Sequence, residues 1–228
     1  MVRRFILAAT AALLATSAAA GAVLVVRSAG PSAPAYPPGK ALPETHVLKL
    51  KSSDTVVLLD SRGTRTLSGP GNFSATASST PTAAARTAGT SARRVRLGAV
   101  RGPGGTRSVW QADLAQTGNV CIANPGELTL YRPDAAAPAH VTLVDSDGKT
   151  ATVHFDANQF EASWPSELQV KSGKRVNISG LGQPTTLTLR QLSPIPAGLE
   201  GMAQSLIRAD CQAQLDVLIS TFSARSEG

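Results

Sequence analysis

From Leu48 to Leu192 the apolar residues fall in short runs broken by turn residues, and only after Pro196 does their spacing become helical. Runs this short suit strands and are too brief for helices. The chain is therefore expected to be mainly β. A C-terminal stretch should hold strands Ser108 to Leu114, Gly118 to Ala123, Leu128 to Arg132, His140 to Asp145, Thr150 to Phe155, Arg175 to Ile178 and Thr185 to Leu192. Short strands at this spacing suggest a β-sandwich-like domain. In its clearest hairpin, VTLVDSDGKTATVHF, Ser146-Asp147-Gly148 forms the tip. After Pro196, Leu199, Met202 and Leu206 share a stripe with Cys211, Leu215, Leu218 and Phe222. One long helix or two abutting ones should pack on the sheet, with Pro196 at a position where a helix can start.

The first residues read differently. Arg3 and Arg4 precede an apolar segment, and small residues follow, with Ala18-Ala19-Ala20 and Ala20-Gly21-Ala22 as cleavage boxes. Residues 1–22 are expected to be a secretory signal peptide. The alternative is an inner-membrane anchor over residues 5–26, which carry no charge and could span a bilayer as a helix. Residues 23–45 are rich in Pro and Ala and are expected to form an extended tether. Residues 74–96 are mostly Ala, Ser and Thr and are expected to link a small β-module, residues 46–73, to the domain formed by residues 97–228.

Within LKLKSSDTVVLLDSRGTRTLSGPGNF, residues 48–73, Leu48 and Leu50 alternate with lysines, Thr55 to Leu59 is β-branched and apolar, and Asp60-Ser61-Arg62-Gly63 supplies a turn before Thr64 to Leu67. Neither SGPGNF nor RGPGGTRS carries the lysine of a phosphate loop, so these glycines are turn residues. The stretch resembles the short β-repeat of FecR-like periplasmic modules, in which strands alternate with glycine turns and close on a GPG-aromatic step. That resemblance covers 48–73 and implies an envelope sensor or scaffold; it implies no catalytic residues.

The net charge of +7 is uneven. Residues 61–112 carry eight arginines and no acid, whereas residues 113–228 have an excess of acids. Arg86, Arg93, Arg94, Arg96, Arg101 and Arg107 are the candidate anion-binding residues, for an anionic lipid or a cell-wall polymer. Nucleic acid is excluded as a partner, because single-strand binders interleave aromatics with their cations and this block has only Phe73 and Trp110.

Two cysteines, Cys121 and Cys211, are an even pair in a chain that reads as exported, and are expected to form a disulfide stapling the helix to the sheet. The three histidines stand at no metal-ligand spacing relative to them, and no cofactor or metal is expected. Asp145, Asp147 and Gly148 match only part of a calcium loop. His140 or His154 could be drawn with Asp145 into a serine triad, and Asp156 with Glu161 into a glycosidase pair, but no local signature supports either. Trp110, Tyr131, Phe160 and Trp164 are expected in the core rather than on a sugar platform. The expected function is non-enzymatic: periplasmic or secreted binding, sensing or scaffolding with an envelope protein partner. The alternatives are an anionic-polymer binder and a cryptic hydrolase. The membrane enters only if the first segment stays uncleaved.

Overall fold

A computed structural model describes residues 22–78 and 107–223. The N-terminal part holds β1 (Ala22–Ala29), β2 (Ala41–Pro43), β3 (Val47–Leu50), β4 (Thr55–Asp60), β5 (Gly63–Ser68) and β6 (Gly71–Ser74). β2, β1, β4 and β5 form one sheet in that order, all antiparallel, and β3 pairs with β6 alone. Asp60 pairs with Gly63 across the hairpin between β4 and β5, at the turn the sequence indicates.

β1 changes the domain picture. Val23, Leu24, Val25 and Val26 are all fully buried, because β1 is a central strand with apolar residues on both faces. Val23 and Val25 face Leu42, Leu48, Leu58 and Leu67. Leu24 and Val26 face Leu59, Leu206, Leu215 and Leu218. Successive residues of a strand point to opposite faces, so Val25 and Val26 serve different cores, and the register with β4 shifts between Val25 and Arg27. The expected tether over residues 23–45 is therefore corrected: β1, a 3-10 turn over Ala33–Ala35 and β2 are folded, and Tyr36 is buried in the core. The anchor over residues 5–26 is corrected in part, since residues 22–26 cannot be both a membrane helix and the middle of this sheet. Residues 1–21 lie outside the described residues. Among the described residues, no helix is long and apolar enough to cross a membrane.

The C-terminal part holds β7 (Gln111–Asp113), β8 (Gly118–Ile122), β9 (Thr129–Tyr131), β10 (Ala139–Asp145), β11 (Thr150–Phe155), β12 (Glu161–Ser163), β13 (Arg175–Ser179) and β14 (Thr185–Gln191). One sheet runs β11-β10-β13-β14-β8 and a smaller one runs β12-β9-β7. Their inner faces share a core of Leu130, Val141, Leu143, Phe155, Val176 and Leu189, which is the expected sandwich. Of the four aromatics expected there, Tyr131 is buried, while Trp110, Phe160 and Trp164 are only half-buried.

The helical stripe is two helices, α1 (Gly198–Arg208) and α2 (Gln212–Ser223). They part where Asp210 takes a φ of 54°, which no helix continues through. They do not merely cover the nearer sheet. α1 packs on β1 and β4, and α2 packs on β5 and β8. Ala203, Leu206, Leu215 and Leu218 close the outer face of the N-terminal sheet. The small module over residues 46–73 thus shares a core with the end of the chain. The expected linker begins inside this body too, because Ser74 ends β6 and Ala75 is buried; the rest of it, 79–96, lies outside the described residues.

Candidate functional site

The sandwich meets the C-terminal helices along the edge strand β8. An edge strand leaves every second residue's N–H and C=O without a neighbour. At Cys121 the missing strand is replaced by one side chain: Gln214 Oε1 accepts from Cys121 N at 2.6 Å and Gln214 Nε2 donates to Cys121 O at 2.8 Å. The same Nε2 reaches Val109 O at 2.7 Å. Asn119 Nδ2 donates to Ala209 O at 3.1 Å, in the turn between the helices. The Cys121–Cys211 disulfide crosses the same seam, and both residues are fully buried. On the far side of α2, Thr64 Oγ1 donates to Ile219 O at 3.0 Å, and Arg27 of β1 pairs with Asp216.

This seam opens into a groove of about 400 Å³ between β7, β8, β14 and the start of α2. Gln111, Gln116, Asn119, Thr188, Gln212 and Gln214 set amides and hydroxyls into a lining that is more apolar than polar and includes Val120 and Leu187. Asp113 and Asp210 are its carboxylates. Asp113 is occupied, accepting from Arg107 Nη2 at 2.8 Å and from Ala115 N at 3.0 Å. Asp210 Oδ1 accepts from Gln212 Nε2 at 2.7 Å. Such walls offer donors and acceptors to a neutral polar ligand or a peptide backbone.

Buried ionisable groups elsewhere are structural. Lys174 Nζ lies 2.8 Å from Asp145 Oδ2 and 3.0 Å from Asp147 Oδ2. The ammonium occupies the place a calcium ion would need in this turn. Asp145 Oδ1 also accepts from Asp147 N and Lys149 N, which shapes the tip of the β10–β11 hairpin. The Lys174 hydrogen bond holds the Asp145 carboxyl below the usual range, and the Asp145 bond in turn raises the Lys174 pKa. Asp145 therefore stabilises the fold above its unfolded pKa, about 3.9, and this is lost as pH falls through the lower folded value. Lys174 stabilises below about 10.4, and this is lost as pH rises through the higher folded value. Urea denaturation across pH should show the native protein losing more stability on acidification than Asp145→Asn; parallel profiles would contradict this.

Asp54 likewise bridges Ser32 N and Lys51 N; burial pushes its pKa up, and those hydrogen bonds outweigh it and bring the pKa down. Arg132 is 2% exposed and has no carboxylate partner among the described residues. Its Nε, Nη1 and Nη2 donate to the carbonyls of Gln159, Ala137 and Asp156 at 2.7–2.8 Å, and its guanidinium lies over the Phe155 ring.

The expected disulfide pair is joined as expected. Of the candidate anion-binding arginines, Arg107 is committed to Asp113 and to the Tyr131 ring, 4.8 Å from its centroid. Arg86, Arg93, Arg94, Arg96 and Arg101 lie outside the described residues. Arg62 and Arg65 both pair with Asp60. The acid-free block is thus bounded by the acids, Asp60 and Asp113, that neutralise its ends. Asp145 is bound to Lys174, and His154 pairs instead with Asp156, so the serine triad drawn through Asp145 does not assemble. Gln214, Asn119 and Arg132 carry the seam and the loop clamp, and sequence reading passed over them. The one available signal was Gln214, an amide beside Leu215 in an apolar stripe.

The chain matches no family model. No curated protein and no solved structure matches it either.

Proposed function

We propose that the protein is exported to the periplasm or beyond and serves there, without catalysis, as an envelope binding, sensing or scaffolding protein of the kind its FecR-like stretch implies. The observation that carries this reading is the groove at the disulfide-locked seam. Its side chains come from strands of the sandwich and from the start of α2, and two of them are fixed by hydrogen bonds to backbone, Asn119 and Gln214. A partner bound there contacts the sandwich and the helix that also covers the N-terminal sheet. The disulfide suits an oxidising compartment. Cleavage after Ala20 leaves β1 whole, whereas cleavage after Ala22 removes its first residue.

The test uses the exported protein as bait in envelope extract, after its mass has been checked for a start at Gly21. Gln116→Arg with Thr188→Arg fills the groove with bulk and charge and should abolish capture of the partner. Unchanged capture with that variant, together with loss in Arg93→Ser/Arg94→Ser/Arg96→Ser, would move the binding surface to the arginine block and favour an anionic polymer or lipid. That binding would weaken steeply with salt. Turnover of an ester, glycoside or peptide panel would favour the hydrolase.

A further inference from the structure

His140 and His154 are register partners on adjacent antiparallel strands, β10 and β11. Both are exposed on the outer face of their sheet, while the alternating Val141 and Phe155 point into the core. Their rings stack with centroids 4.5 Å apart and planes at 36°. The backbone beneath them is fixed. Gly180 takes a φ of 105°, and a Cβ there would stand 2.1 Å from His140 O, so the chain after β13 is pressed against this strand.

The third group is Asp156, whose Oδ1 lies 3.1 Å from His154 Nε2. A carboxylate only accepts, so the proton of a neutral His154 sits on Nε2 and the lone pair on Nδ1. That is the arrangement by which proteins prepare a metal-binding histidine: the far nitrogen donates to a carboxylate, which fixes the tautomer and raises the basicity of the near one. Among the described residues, neither ring nitrogen of His140 has a hydrogen-bond partner. Directly opposed residues on an antiparallel pair have Cβ atoms about 4.5–5.5 Å apart. Two imidazole nitrogens each about 2 Å from one ion lie about 3 Å apart, which rotation of the two rings can reach from the stacked arrangement.

We propose that His140 and His154 form a surface chelate for an imidazole-preferring divalent transition metal, with Asp156 as the positioning residue for His154. No three metal-ligating side chains converge among the described residues, so the protein supplies two ligands and solvent or a partner supplies the rest. Affinity should follow the usual order for nitrogen sites, with Cu(II) strongest. Two open positions on an edge strand would let the bound ion bridge to a donor on another molecule.

Titration of the mature, disulfide-bonded protein with Cu(II) in a non-coordinating buffer tests this, followed by calorimetry and by the spectrum of imidazole-bound copper. The native protein and His46→Phe should bind one equivalent alike. His140→Phe and His154→Phe keep a ring in the stack but remove the nitrogens, and each should bind at least about tenfold more weakly. Asp156→Ala should weaken binding by about 10-fold or more, the usual cost of losing such a carboxylate. Its backbone carbonyl still accepts from Arg132, so folding is retained. Native affinity and an unchanged copper spectrum in the His140→Phe/His154→Phe double variant would overturn the proposal.

Discussion

Val25→Asp should yield no folded protein at neutral pH. Val25 is fully buried and sits in the middle of the sheet, with Leu58 as its partner on β4. Its backbone donates to Lys40 O at 2.9 Å and accepts from Gly39 N at 2.8 Å, so the strand cannot slip to expose a new side chain. Losing the valine removes about 1.5–3 kcal/mol of apolar transfer. Burying a carboxylate among Leu42, Leu48 and Leu67 adds several kcal/mol, as ionic desolvation or as forced protonation. The sum rivals the 5–15 kcal/mol that holds a typical domain together. Because this face is continuous with the helix-covered one through Leu24 and Val26, α1 and α2 should come loose as well. Far-ultraviolet circular dichroism should show loss of both strand and helix. A soluble variant with the native spectrum would mean that β1 is peripheral.

Cys211→Ser is the second large effect. The bond closes a loop with a sequence separation of 90. The chain-entropy model gives about 4–5 kcal/mol for such a loop, an upper figure because residual unfolded structure subtracts from it. In a chain of this size that lowers the melting temperature by on the order of 10 °C. The site of the loss matters more than its size. Cys211 abuts the start of α2, next to the amide that caps β8. The variant should therefore release α2 to protease first and expose the outer face of the N-terminal sheet, Leu24 and Leu59 included. Alkylation of two free thiols in the native protein, or an unchanged melting temperature, would contradict this.

What the sequence made legible was local. Val141, Leu143 and Phe155 alternate with polar residues, and β10 and β11 lie close to where that alternation puts them. The partnership of Cys121 and Cys211 followed from count and compartment. β1 was missed because Val23 to Val26 continues the apolar first segment without a break, and uninterrupted hydrophobicity reads alike as an export segment and as a strand buried on both faces. β2 and β12 are three residues each, too short for a period to register. The helical stripe of Leu206, Leu215 and Leu218 was legible as a buried face, but a stripe does not say which sheet covers it. Its partners, Leu24, Val26 and Leu59, lie far away in sequence. The seam was hidden for the same reason. Gln214 gains its meaning only once the β8 edge lies beside it.

The account rests on α1 and α2 belonging to the N-terminal sheet as much as to the sandwich. Amide hydrogen exchange on the isolated fragment 97–228, disulfide intact, tests this against the whole protein. The sandwich has its own core, so amides of β10 and β13 should stay protected in the fragment. Amides at Leu206, Leu215 and Leu218 should lose protection, because β1, β4 and β5 are no longer there to cover them. Native protection of both helices in the fragment would contradict the account and restore the two-domain division drawn from the sequence.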